Sequence, residues 1–246
     1  MDECSFIKKY IQPCERLTVY RSIETQNTAS TLKLTAGNIQ EQERLEQLLE
    51  EKAKPKTKHI DHHYLIYTPF RYPPLKYGSR FGTIYEKSLW YGSSNKETAL
   101  AESAFYFFNF NRQANIRDIL YFERTVFSVQ CNIHSFLDLT KIKYLDHKLL
   151  ISKNSYAYTQ QLSKSMRKNN IEAFLYESAR YADNKNFAAY TPSVFKENSL
   201  KIMPTYIGVF TPKAITYKST IYHDEVYTYS VDDFFDNNSS LPEIPK

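Results

Sequence analysis

Glycine is scarce in this chain, with 5 among 246 residues, and three of them (Gly78, Gly82 and Gly92) fall within the stretch Phe70 to Phe110. Glycine gathered in this way marks backbone that needs φ > 0 or a close approach to another group. Arg80 lies between the first two, and Tyr91 precedes the third. Ser94-x-x-Glu97 then reads as a capping box that opens a helix. From Thr98 to Asn111 that helix carries one charge, Glu102, among Ala99, Leu100, Ala101, Ala104, Phe105, Tyr106, Phe107 and Phe108. A helix apolar nearly all round is buried, so Glu102 is expected to go inside with it. Buried carboxylates need partners, and Arg80 and Tyr91 are the near candidates.

The length suits one large domain over 1–246, with a helical insertion near 38–58 and a frayed tail from about 232. Hydrophobic residues at 42% with 24% charged describe a soluble globular protein and exclude a disordered one. The 21 tyrosines suit flat ligands. A net charge of +5 favours anionic partners without requiring nucleic acid. Cys4, Cys14 and Cys131 form no CxxC pair, which fits free thiols in a reducing, cytoplasmic setting. No leader pattern opens the chain, and no apolar run nears the ~20 residues that span a bilayer.

Along the chain, Leu17–Arg21 alternates like a strand, and Asn38 to about Lys54 reads as a charged helix with Ile39, Leu45, Leu48 and Leu49 on one face. His59, His62 and His63 around Asp61 invite a metal. With His63–Tyr67 as a strand, however, His62 and His63 point to opposite faces, and no second cluster completes a zinc shell; no metal is expected. Pro69, Pro73 and Pro74 argue against regular structure before the Arg80 loop. Strands are expected at Leu89–Tyr91, Ile119–Val129, His134–Leu139, Lys201–Met203 and Tyr206–Phe210, with Pro204 and Pro212 as ends, and a helix at Tyr156–Asn169. Ala173–Tyr176 and Phe187–Tyr190 flank a segment carrying Ser178, Arg180 and the polar turn Asp183–Asn186, like a hairpin. Edge strands follow between Ala214 and Val231. Strands interrupted by a few helices, without βαβ alternation, predict an α+β fold.

If Arg80, Tyr91, Glu102 and Ser178 converge, their chemistry is specific. A guanidinium in a glycine loop binds phosphate oxygens bidentately, and a tyrosine at a strand end stacks on a base. A single carboxylate stabilises positive charge that develops in a transition state, and a serine hydroxyl suits a ribose or carboxamide. Together they describe cleavage of a nucleotide glycosidic bond, NAD+ being the obvious case because nicotinamide leaves as a neutral molecule. One carboxylate disfavours a two-carboxylate glycosidase.

At these residues the chain resembles the RES-domain family. The matching segments are Gly78-Ser-Arg80-Phe-Gly82, Leu89-Trp-Tyr91 leading through Glu97 to Glu102, and Tyr176-Glu-Ser178-Ala-Arg180 before Asn186-Phe-Ala-Ala-Tyr190; Val19-Tyr-Arg21 resembles the opening strand. The resemblance implies an ADP-ribosyltransferase-like fold with a mixed, largely antiparallel β core. It also implies a toxin that degrades NAD+, kept in check by a DNA-binding antitoxin. NAD+ would be substrate rather than cofactor, with inorganic phosphate, water or a protein side chain as acceptor. By resemblance, Arg80 would hold the phosphates or ribose, Tyr91 the nicotinamide end, Glu102 the ribosyl cation and Ser178 the ribose. Arg180, Ser193, Tyr20, Arg21 and Arg71 would complete the substrate site. Thr191-Pro-Ser193-Val resembles the serine segment of another branch, so Ser193 stands as the substitute for Ser178. Thr25 to Pro69 intervene where compact members run directly to the Arg loop. The competing readings are ADP-ribosyl transfer to a specific protein and, outside catalysis, an RNA-binding module built on Tyr, Lys and Arg. The oligomeric state is left open, self-association included.

Overall fold

The structure is a computed structural model that describes residues 7–25, 38, 40–41, 43–44, 48, 63–71, 74–114, 117–236 and 239–245. Among the described residues, runs of β-branched and aromatic residues build eight strands: β1 (Gln12–Glu24), β2 (Trp90–Ser93), β3 (Leu120–Asp138), β4 (Ala173–Glu177), β5 (Lys185–Ala189), β6 (Lys201–Phe210), β7 (Ala214–Ser219) and β8 (Val226–Ser230). They form one sheet in the order β1-β2-β5-β4-β3-β6-β7-β8, and β1 also pairs with β3. Five strands therefore close on themselves, while β6 to β8 continue from β3 as an antiparallel wing. Closure removes exposed sheet edges, which otherwise template aggregation. Among the pairings of the described strands only β3–β4 is parallel. The β1–β2 seam rests on a single register pair, Tyr20 with Ser93, and the residues just beyond it, Arg21 and Ser22, line a cavity.

Among the described residues, the helices with both ends placed are α1 (Tyr64–Arg71), α2 (Lys96–Gln113), the short α3 (His147–Leu150) and α4 (Ala157–Lys168), set around the sheet. Helix α2 lays Leu100, Ala101, Ala104, Phe105 and Phe108 into a core shared with Val126, Tyr206, Phe210, Tyr217 and Phe234. A second core, around Trp90, Phe127, Ile133 and Phe187, fills the inside of the closed strands. A third, around Phe81, Leu137, Leu162, Met166 and Phe174, fixes α4 and the Arg80 loop against β4. Fully burying each such side chain contributes about 1.5–3 kcal/mol.

The mixed α+β class stands, and several local expectations are corrected. His63–Tyr67 is not a strand: Tyr64–Arg71 is helical, with Pro69 inside it. Helix α2 is capped by Asn95, whose side chain accepts from the Thr98 amide, rather than by Ser94. It is also not buried all round, since Tyr106 is 48% and Phe110 69% exposed. The two strands expected between Ile119 and Leu139 are one 19-residue strand. Pro204 sits within β6, where the register with β3 shifts between Thr125 and Phe127. Asn186 belongs to strand β5 rather than to a turn. The segment from Asp232, expected to fray, buries Phe234 completely and leaves Leu241 5% exposed. Most of the predicted helix near 38–58 lies outside the described residues, as do His59 and His62; Gln40, Glu41, Glu43, Arg44 and Leu48 are helical, and Asn38 caps the amides of Gln40 and Glu41.

Candidate active site

The Arg80 loop owes its shape to its glycines and to α4. Gly78 adopts φ +75°, and a Cβ there would sit 2.6 Å from the Gly82 carbonyl oxygen, so only glycine fits. The Ser79 and Gly82 backbones exchange hydrogen bonds at 2.7 and 3.3 Å. Side chains of α4 then hold the loop by its carbonyls. Gln160 Nε2 donates to Ser79 at 3.0 Å, Ser163 Oγ to Phe81 at 2.5 Å, and Thr159 Oγ1 to Arg80. From the other side the Tyr91 phenol accepts from the Phe81 amide at 3.1 Å and shares a 2.9 Å hydrogen bond with Ser79 Oγ. Burial pushes that phenol up to about 12. Tyr91 therefore stays neutral at physiological pH.

Arg80, so held, donates from Nη1 to the carbonyls of Leu150 and Ser152 at 2.9 and 3.0 Å and lies 4.8 Å from the centre of the Tyr156 ring. Its loop, β1, β2, α2 and β4 surround a cavity of about 430 Å³. Four arginines line it, Arg21, Arg80, Arg124 and Arg180, and among the described residues on its wall Glu102 is the one acidic residue.

Glu102 is half-buried, and its partners are neutral donors rather than the expected Arg80 or Tyr91. Ser178 Oγ donates to Oε1 at 2.7 Å, and Asn186 Nδ2 donates to the same oxygen at 2.5 Å. Both donors are buried. Because a carboxylate only accepts, the amide must turn its nitrogen toward Glu102; its oxygen then accepts from Ser93 Oγ at 2.7 Å. Ser178 in turn accepts from the Arg180 and Tyr181 amides at 3.2 and 3.0 Å, which saturates its hydroxyl. Oε1 is thus anchored, and neither donor binds Oε2. The register that aligns these groups is set by the sheet, which pairs Ser93 with Asn186 and Asn186 with Tyr176.

The arginines are unusually bare. Arg180 is 4% exposed and packs 3.8 Å from the Phe105 ring centre. Burial lowers the pKa of Arg180, and takes that of Arg21 down to about 10, both still charged at neutral pH. Arg21 Nη1, Arg124 Nε and Arg180 Nη1 are buried without a hydrogen-bond partner among the described residues. Desolvated guanidinium nitrogens are costly to leave unpaired. A bound anion would satisfy them, and their fork geometry matches phosphate.

Of the residues singled out from sequence, Arg21, Arg80, Tyr91, Glu102 and Arg180 share the cavity wall. Ser178 stands behind Glu102 and lines the neighbouring hollow instead. Three others stand apart. Ser193 is exposed in a 3₁₀ turn, bonded to Thr191. Arg71 lies 5.3 Å from the Tyr67 ring centre, and Tyr20 occupies the β1–β2 seam; neither is on the cavity wall. Sequence reading missed Asn186, Ser93, Arg124 and Tyr156 as site residues. Only the Asn186 segment carried a signal, through the family resemblance. No group of three or more potential metal ligands occurs among the described residues, and no helix there is long and apolar enough to cross a membrane.

No curated protein matches the chain. Among solved structures it is similar to the crystal structure of the M. tuberculosis MbcT–MbcA toxin–antitoxin complex, at 11% identity and a TM-score of 0.48, over 85% of this chain and 92% of that one. A family model described as the RES domain matches residues 57–205, more than half of the chain. The Arg80 loop, Tyr91, Glu102, the hydroxyl and amide that hold its carboxylate, and Arg180 all lie within those bounds, and the chain belongs to the RES-domain family.

Proposed function

We propose that this protein consumes NAD+ by breaking the bond between nicotinamide and ribose, and that it acts as the toxin of a toxin–antitoxin pair. The observation that carries the reading is a lone carboxylate among the described residues, anchored through one oxygen, in a cavity lined by four arginines. The arginines suit the diphosphate, with Arg21 and Arg180 offering nitrogens that lack partners among the described residues. Glu102 supplies fixed negative charge beside the ribose. As the C1′–N bond breaks, its electron pair leaves with nicotinamide, which becomes neutral, and positive charge spreads over C1′ and the ring oxygen. A preorganised carboxylate stabilises that charge without reorganising.

Each remaining group has a role in this scheme. Oε2, not engaged by Ser178 or Asn186, faces the sugar, while those two residues prevent the carboxylate from rotating. Tyr91 holds the Arg80 loop and walls the nicotinamide end. The acceptor then adds at C1′: water yields ADP-ribose and a proton, and inorganic phosphate yields ADP-ribose 1-phosphate. An antitoxin partner is implied by the family resemblance, since unrestrained NAD+ loss is lethal to a cell.

The test is purified protein with NAD+, with and without inorganic phosphate, and products identified by mass. Nicotinamide release supports the reading, and the mass of the sugar product names the acceptor. Intact NAD+ under both conditions would reject it.

A further inference from the structure

A second cavity of about 360 Å³ adjoins the first, and Arg21, Leu75, Gly78, Ser79 and Tyr91 belong to both walls. Its remaining wall is formed by Thr68 and Pro69 of α1, by Pro74, and by Gly82, Thr83 and residues 86–89. Resting on the NAD+ reading, we infer that this side cavity is the binding site for the adenine base of the dinucleotide, and that it selects a purine bearing an amino group.

A dinucleotide needs two base-sized compartments with a cation between them. Glu102 assigns the reacting ribose to the central cavity, and the side cavity, which shares five wall residues with it against one for the hollow beside Arg180, offers the second nucleoside a compartment past the shared wall. Arg21 stands on that wall, held 5.3 Å from the Trp90 ring centre, with Nη1 buried and lacking a partner among the described residues. A diphosphate passing from one cavity to the other would meet that nitrogen. Beyond it, Pro69, Pro74, Leu75 and Leu89 offer apolar surface for the flat faces of a base.

Three polar side chains of the side cavity, Thr68, Thr83 and Glu86, suit the edge of that base. The Thr68 hydroxyl spends its hydrogen on the Tyr64 carbonyl at 2.5 Å, and the Thr83 hydroxyl donates to Glu86 Oε2 at 3.1 Å. Both hydroxyls therefore present lone pairs only, and the Glu86 carboxylate on the same wall also only accepts. An amino group can satisfy such acceptors, whereas a keto oxygen at the same place would face them unpaired. Lys87, also on this wall, is exposed.

The experiment measures binding of ADP and of IDP, its keto counterpart, by calorimetry, and compares kcat/KM for NAD+ with that for nicotinamide mononucleotide. ADP is expected to bind at least about tenfold more tightly than IDP, the order of discrimination when a single polar contact is lost. Thr68→Phe and Thr83→Trp each add bulk to the cavity wall, one from α1 and one from the segment after Gly82. Each is expected to weaken ADP at least about tenfold and to lower the preference for NAD+ over the mononucleotide by a similar factor. Equal affinity for ADP and IDP would overturn the amino-group selection. Unaltered ADP binding in both variants, with thermal melts showing them folded, would overturn the site. If the wild-type protein released nicotinamide from neither substrate, the NAD+ reading would fall, and the ADP measurements would still decide the cavity.

Discussion

Asn186 Nδ2 and Glu102 Oε1 lie 2.5 Å apart, and the amide oxygen of Asn186 is held at its other end by Ser93. Strand β5 thereby fixes the carboxylate of helix α2, and under the proposed function Asn186, itself on the cavity wall, is expected to act through Glu102. Asn186→Asp keeps the shape but sets two carboxyl groups against each other, which raises one pKa of the pair. The expected outcome is an acid limb of the pH–rate profile displaced upward, with activity recovering as pH rises. Asn186→Ala is expected to lower kcat by up to about 10²-fold through misplacement of the carboxylate, with KM changing less. A profile in Asn186→Asp that overlays the wild type would contradict the positioning role.

Ser178 and Ser193 make a matched comparison. Ser178→Ala removes a donor from Glu102 and leaves the Arg180 and Tyr181 amides without their acceptor, at a cost of about 1–3 kcal/mol for an unsatisfied buried group. Both stability in urea and kcat are expected to fall. Ser193→Ala, at an exposed turn, is expected to leave both within about 0.5 kcal/mol or its equivalent in rate. Greater loss of activity in the Ser193 variant would reverse the assignment.

Gly92 is required by a close approach. A Cβ there would lie 2.5 Å from Trp90 Cζ3 and 2.7 Å from the Tyr20 carbonyl oxygen. Trp90 is fully buried, so neither neighbour gives way easily. Gly92→Ala is expected to destabilise the fold by about 1–3 kcal/mol, as overpacking does. A thermal melt identical to wild type would show that the β1–β2 seam is looser than described.

Buried phenols set the alkaline limit of stability. Tyr91 and Tyr217 are each raised by burial from about 10 in the unfolded chain to about 12 in the fold. Between those values the unfolded state has released the proton and the folded state still holds it, so stability falls as pH rises. Their contribution is complete below about pH 10 and is lost as pH climbs through about 12. Unfolding midpoints are expected to decline steeply across that window, and Tyr91→Phe should soften the decline. A flat stability curve from pH 9 to 12 would contradict the burial of these rings.

How far the sequence could be read depended on whether the cause was local. The glycine loop, helix α2 and the β4–β5 hairpin were legible because each rests on spacing within a short segment. Tyr64–Arg71 was not: a run with tyrosines and an isoleucine before prolines suits a strand by composition, and packing of Leu65, Ile66 and Tyr67 decided for helix. The Asn95 cap lost to Ser94 because the two stand side by side and only backbone geometry separates them. Glu102, Arg80 and Tyr91 could be named as site residues, but not the partners of Glu102. Those arrive from β5 and the turn after β4, with Ser93 of β2 holding Asn186, and strand register, invisible in one sequence, brings them together. Arg124 was overlooked for the same reason, since it lies in what reads as ordinary strand.

The role of Glu102 as the fixed charge opposite the breaking bond is tested most directly by nicotinamide release from NAD+ in wild type and Glu102→Gln. Glutamine preserves size and removes the charge, and turnover is expected to drop by about 10²–10³, the loss seen when one preorganised electrostatic group is removed, with KM far less affected. Release of nicotinamide at near wild-type rate by the folded Glu102→Gln protein would contradict the account.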